Sequence, residues 1–170
     1  TIYLGGGTPS QLSQEELESI FATIYNIYKV KEDAEITLEA NPDDLTPEYV
    51  SILRQLPINR ISMGIQTFRE ETLRLLHRRH TAQQAKEAFH RCREAGFQNI
   101  SIDLMYGLPG ETLETWKEDL RQAIALHPEH ISAYHLIYEE GTVLWKLKEE
   151  HQVEEADEDL SVSLFKTLIE

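Results

Sequence analysis

Apolar and polar positions along this chain fall into two alternating periods. Short, β-rich runs recur roughly every 30 residues: IYL (2–4), EITLEA (35–40), RISMGI (60–65), NISIDLMY (99–106) and HISAYHLIY (130–138). Stretches with helical spacing separate them. Ser13 to Glu16 has the form of a capping box. Leu17, Ile20, Phe21, Ile24 and Ile27 then mark one apolar face. Thr46-Pro47 predicts a cap with proline at the first helical position, Val50 and Leu53 facing inward and Pro57 as the end. Phe68 to Leu76 reads as a short helix. Thr81 caps the next, with Ala85, Ala88, Phe89 and Cys92 on one stripe and Gly96 as its stop. Thr112 opens another, with Trp116, Leu120 and Ile124 inward, and a last helix is expected over Asp157 to Ile169.

Strand and helix in alternation imply parallel βαβ units. The pattern predicts an α/β protein of one domain, residues 1–170, with five strands. The choice lies between an open doubly wound sheet and a barrel or partial barrel. Polar residues stand at the C-terminal end of strand after strand: Gly5 to Thr8, Glu39 and Asn41, Gln66, Asp103 and His135. In a parallel barrel those ends converge on one mouth, whereas an open sheet uses fewer strands at one switch point. The spread favours a partial, TIM-like (β/α) barrel.

Composition narrows the function classes. Sixteen basic and 30 acidic residues leave a formal charge of −14, which argues against nucleic acid and against an anionic membrane surface as partners. The acids crowding 149–159 read as a solvated surface rather than a metal site. No apolar run is long enough to span a bilayer. The single cysteine, Cys92, excludes an intramolecular disulfide and fits a cytoplasmic setting. It lies on an apolar helix stripe and is expected to be buried and unreactive. The chain opens at Thr1 inside a strand, so it is expected to be a piece of something longer.

Candidate chemistry sits at the strand ends. In GGGTPS (5–10), three glycines in a row imply unusual backbone conformations or a molecule approaching closely. The segment lacks dinucleotide and P-loop spacing, but exposed peptide groups and the Thr8 hydroxyl suit an amino-acid-like head group; the alternative is a flexible turn. Glu39, ending an apolar strand, needs a partner: either an ion pair, with Arg60 in reach, or an ammonium or ribose hydroxyl. Gln66 is a core hydrogen-bonder or a ligand contact. Arg78 suits a carboxylate, which guanidinium binds in a two-pronged geometry; Arg79 beside it is expected to face solvent. His77 and His80 read as surface residues, with no metal assigned. Asp103 lies in a strand whose neighbours Ile102 and Leu104 face the other way, and ribose hydroxyls or a cation would satisfy it. The Gly107–Gly110 turn is either a simple connection or part of the site. Trp116 and Trp145 read as packing residues.

GGGTPS, TLEANPDDL, RISMGIQTF, LLHRRH and IDLMYGLPGET, in that order, resemble the radical S-adenosylmethionine enzymes of the oxygen-independent coproporphyrinogen III oxidase group, and within it the HemW branch of heme chaperones. The similarity runs from Thr1 to about Thr142. The resemblance implies a partial barrel and a [4Fe–4S] cluster held by a CxxxCxxC loop, with S-adenosylmethionine chelated at the open iron and cleaved to a 5′-deoxyadenosyl radical. It also implies that Gly6, Gly7, Thr8, Glu39, Gln66, Arg78 and Asp103 hold S-adenosylmethionine, with the glycine run beside its methionyl amino group, and that Ile137 offers a main-chain contact to the adenosyl part.

The sequence departs from that family in one large respect: the cluster needs three thiolates and this chain has one. The cluster loop and first strand are expected upstream of Thr1, so the chain alone is expected to be inactive and to expose a sheet edge. The expected function is a HemW-type heme chaperone, with heme or porphyrinogen and an electron-donor protein as partners. The alternative is a coproporphyrinogen III dehydrogenase forming protoporphyrinogen IX. A barrel enzyme for a phosphorylated metabolite is a remote third.

Overall fold

A computed structural model describes residues 1–170. Five strands, β1 (Ile2–Leu4), β2 (Ile36–Ala40), β3 (Arg60–Gln66), β4 (Asn99–Tyr106) and β5 (His130–His135), form one sheet in sequence order. Every neighbouring pair is parallel. This order decides between the two architectures. Crossovers of one hand that always step to the next strand put their helices on one face, as in a barrel; a doubly wound sheet reverses its order.

The strand periodicity carries that division into the side chains. Ile36, Leu38, Ile61, Met63, Ile65, Ile100, Ile102 and Leu104 point to one face and are buried. Against them pack α1 (Gln14–Ile27) through Leu17 and Phe21, α2 (Pro47–Leu53) through Val50 and Leu53, and α4 (Ala82–Glu94) through Ala85, Ala88, Phe89 and Cys92. α5 (Leu113–Ala125) adds Trp116 and Ala123, and α7 (Glu158–Ile169) adds Leu164. The Trp116 Nε1–H donates to the Leu164 carbonyl at 3.0 Å, tying α7 to the barrel wall. The opposite, concave face is polar, with Thr37, Glu39, Ser62, Ser101 and Asp103 on it.

Caps form where the sequence places them. Ser13, Thr81 and Thr112 each close a capping box, and Thr46 and Asp157 accept from a backbone N–H in the first turn of their helices. Several boundaries differ. β5 stops at His135 rather than 138, and α2 ends at Leu53, before Pro57. The short helix α3 is narrower, Glu70–Leu75, and α6 (Val143–Glu149) carries no signal strong enough to predict it.

Ile27 and Ile124, read as inward, are exposed. At 100° per residue, Ile27 lies roughly 80° from the direction of Leu17, and Ile124 roughly 80° from that of Trp116. Both fall on the flank of their stripe. Ala123 and the polar Asp119 take the inward positions on α5. His80, read as a surface residue, is buried at 3% exposure with Nε2 3.2 Å from the Ile65 carbonyl oxygen. Burial pushes its pKa down. No helix is long and apolar enough to cross a membrane.

Candidate functional site

The loops leaving the C-terminal strand ends border a cleft of about 430 Å³ on the concave face. Gly7, Thr8 and Ser10 come from the loop after β1, Glu39 and Asn41 from the end of β2, and Ser62, Gly64 and Gln66 from β3. Arg78 reaches in from the connection between α3 and α4, Asp103 and Met105 from β4, and Tyr134 from β5. Register explains the convergence. Glu39 pairs with Ser62, and Gly64 with Asp103, so these residues occupy one face on two successive levels.

The glycine run divides into two kinds. Gly6 and Gly7 have φ of +75° and +69°, and no protein atom would crowd a side chain there. Gly5 is different: a Cβ would stand 2.6 Å from the Tyr3 ring and 2.9 Å from the Glu39 carboxyl. Gly5 is therefore glycine for packing, and Gly6 and Gly7 for backbone conformation beside open space. Glu39 does not pair with Arg60, which bonds Thr37. It accepts from the Tyr3 hydroxyl at 2.8 Å and the Gly6 N–H at 3.1 Å. Burial, then that bond to Glu39, pushes the Tyr3 pKa up to about 12.

Gln66 is strained. A register shift between Gly64 and Gln66 inserts a bulge in β3, and Gln66 sits at φ +72°, a conformation costing roughly 1–3 kcal/mol outside glycine. Its amide folds back over Gly64, where a Cβ would lie 3.0 Å from Gln66 Nε2 and 3.5 Å from Arg78 Nη2. Gly64 thus makes room for two candidate ligands; a glycine inside an apolar strand is the signal that marks it.

Arg78 is half-buried, and burial lowers its pKa. Its Nη2 donates to Asn41 Oδ1 at 2.7 Å and to the Gly64 carbonyl at 2.9 Å. Both N–H groups of Nη2 are thereby engaged, so a carboxylate meets Nη1 or Nε rather than the two-pronged edge the sequence suggests. Arg79 reaches solvent but also pairs with Asp43 at 2.8 Å and Asp44 at 2.9 Å. Asp103 accepts from Ser62 Oγ at 3.1 and 3.2 Å. Burial pushes its pKa up, against the pull of the Ser132 and Ser62 hydroxyls.

Three expected contributors are not among the residues lining the cleft: Gly6, next to the lining Gly7, and two that stand further off. Ile137, expected to contribute its main chain, lies beyond β5 as a 73% exposed residue and does not line the cleft. His135 turns from the mouth: its Nε2 lies 3.1 Å from Ser161 Oγ, and its ring meets Tyr106 edge-on. The Gly107–Gly110 turn does not line the cleft either. Glu111 organises it by accepting from the Gly107 N–H at 2.6 Å and the Leu108 N–H at 3.4 Å. Burial raises the Glu111 pKa to about 7, with the two N–H groups opposing. The folded state therefore holds this proton more tightly than the unfolded chain, and stability present at low pH is lost as pH climbs from the ordinary carboxylate range through about 7. Glu111→Gln keeps an acceptor without ionising. Its stability relative to wild type should rise by up to about 3 kcal/mol between pH 5 and 8 in urea titrations; a pH-independent difference would contradict this origin.

The donors present suit one of the two groups that the resemblance implies and not the other. An iron–sulfur cluster does not fit this chain: Cys92 is buried in α4, its thiol pushed up to about 12 by burial, and no three His, Cys, Asp or Glu side chains converge on a metal position. S-Adenosylmethionine does fit. Arg78 Nη1 and Nε bond nothing within the protein and are not sealed from solvent, and the glycine loop leaves open space beside them.

Residues 1–123 match the family described as the Radical SAM superfamily. The chain is 44% identical over 148 residues to the heme chaperone HemW of Bacillus subtilis (strain 168), covering 86% of this chain and 39% of that protein. It is 34% identical over 155 residues to the oxygen-independent coproporphyrinogen-III oxidase-like protein HemZ of the same organism, covering 90% of this chain and 31% of that one. The fold matches that of coproporphyrinogen III oxidase (HemN) from Escherichia coli, described as a radical SAM enzyme, with TM-score 0.82 and 25% identity. That match covers 98% of this chain and 38% of the other. The chain thus spans less than half the length of these relatives.

Proposed function

Because this chain belongs to the Radical SAM superfamily, we propose that residues 1–170 form one domain that holds S-adenosylmethionine in a HemW-type heme chaperone. One observation carries the reading. Gly7, Thr8, Glu39, Gln66, Arg78 and Asp103, spread over five segments of the sequence, border a single cleft.

Charge supports it. The acidic and basic side chains lining the cleft are Glu39, Asp103 and Arg78, two carboxyl groups and one guanidinium. The ligand carries the converse set, a sulfonium and an ammonium with one carboxylate. Arg78 takes the carboxylate, because it offers the only guanidinium in the cleft. Glu39 keeps acceptor capacity for the ammonium while Tyr3 and Gly6 fix its orientation. Asp103, held by Ser62, accepts ribose hydroxyls. The Gly6–Gly7 backbone lets the methionyl part approach closely. When bound, S-adenosylmethionine supplies one-electron hydrogen-abstraction chemistry; these residues bind and orient it.

Heme as the handled molecule accompanies this reading, supported by the similarity to HemW; an electron-donor protein and a cytoplasmic setting are proposed with it. A second reading, oxidative decarboxylation of coproporphyrinogen III, is favoured by the similarity to HemZ and HemN. Full-length protein reconstituted with iron and sulfide without oxygen should cleave S-adenosylmethionine; no cleavage would sink the radical reading. Heme retained without porphyrin product then selects the chaperone, and carbon dioxide released from coproporphyrinogen III selects the oxidase.

A further inference from the structure

We propose that Asn41 is a positioning residue that sets the angle at which the Arg78 guanidinium meets the ligand carboxylate. This rests on the reading that the cleft holds S-adenosylmethionine.

Arg78 is the one cleft cation, and it comes from a connection between helices rather than from a strand. Such a side chain has many rotamers and no sheet to fix it, so its aim must come from its partners. Two acceptors engage Nη2: the Gly64 carbonyl, at the bulge in β3, and Asn41 Oδ1, the shorter contact at 2.7 Å. Two acceptors on one planar nitrogen define the plane of the guanidinium, whereas one leaves it free to pivot. Nη1 and Nε bond nothing in the protein, so either is left free for the ligand.

Asn41 is itself fixed from behind. Its N–H donates to Ser10 Oγ at 3.2 Å, and that hydroxyl donates to Asp44 Oδ2 at 2.6 Å. Asp44 is held in turn by Arg79 at 2.9 Å and by Gln11. These hydrogen bonds join the segments after β1 and β2 to the Arg78–Arg79 connection. A carbonyl suits this place better than a carboxylate: an amide oxygen accepts from Arg78 without neutralising it, leaving its full charge for the ligand.

The test uses full-length, cluster-loaded protein and two probes measured by calorimetry: S-adenosylhomocysteine, which carries the carboxylate, and 5′-methylthioadenosine, which lacks it. Asn41→Ala should weaken S-adenosylhomocysteine about tenfold and leave 5′-methylthioadenosine unchanged. In an Arg78→Ala background it should have no further effect. Asn41→Asp, which keeps the shape and adds a charge beside the carboxylate, should weaken S-adenosylhomocysteine more than Asn41→Ala does. Equal loss for both probes, or a further loss without Arg78, would mean a merely structural residue and overturn the proposal. So would wild-type affinity in both Asn41 variants while Arg78→Ala alone weakens S-adenosylhomocysteine, and the cofactor reading would then survive. If wild-type protein binds neither probe, the cofactor reading falls and this inference with it.

Discussion

Arg78→Ala should lower affinity for S-adenosylmethionine by roughly 30- to 100-fold. Truncating one member of a desolvated, hydrogen-bonded charge pair costs about 2–5 kcal/mol, and the low end applies because Arg78 is only half-buried. The loss should be confined to ligands that carry the methionyl carboxylate. Arg78→Lys is an informative partner. Lysine keeps the charge but is a point donor on a flexible stem. It cannot engage Asn41, the Gly64 carbonyl and a carboxylate in one plane, so its affinity should fall between wild type and Ala. Equilibrium binding to full-length protein measures both, and an Arg78→Ala affinity equal to wild type would remove Arg78 from the site.

Asp119→Ala should destabilise the fold by about 2–5 kcal/mol and weaken the same ligand. Asp119 is 1% exposed on α5. It accepts from the Thr67 hydroxyl at 2.5 Å and the Phe68 N–H at 2.9 Å. Burial raises its pKa, and those two donors oppose the shift. Truncation leaves both donors buried without a partner, at about 1–3 kcal/mol each. It also releases the residues that follow Gln66, whose φ of +72° persists only while its surroundings hold it. Asp119→Asn keeps an acceptor and should cost less. Urea unfolding of the two variants, with ligand affinity measured alongside, distinguishes this from a surface substitution; a stability change under about 0.5 kcal/mol for Asp119→Ala would contradict it.

Much of this was legible in the sequence because it depends on local pattern. The strands stand out as β-branched runs, and helix starts at Ser13, Thr46, Thr81 and Thr112 follow from hydroxyl caps that bond within one turn. The gathering of Thr8, Glu39, Gln66 and Asp103 follows from parallel topology, which sends every strand's C-terminal end to one rim, and Arg78 joins them from the α3–α4 connection.

What the sequence concealed depends on partners far away in the chain. Asp119 lies in a charged stretch that reads as solvent-facing; only its place three residues after Trp116 hints at burial. His80 reads as surface until the Ile65 carbonyl is beside it. Glu111 looks like part of a turn motif until its carboxylate is seen holding that turn. Asn41 stands among the polar strand-end residues, but nothing local reveals that its amide meets Arg78 from 37 positions on. Ile27 and Ile124 mislead for a geometric reason, since a stripe drawn through every apolar residue is wider than the face a helix buries.

A crystal structure of the full-length, cluster-loaded protein with S-adenosylmethionine bound examines all of this at once. The methionyl carboxylate should lie within hydrogen-bond distance of Arg78, the ribose hydroxyls against Asp103, and the ammonium beside Glu39 and the Gly6–Gly7 backbone. A ligand seated elsewhere in the protein, with these side chains still paired only to one another, would contradict the assignment.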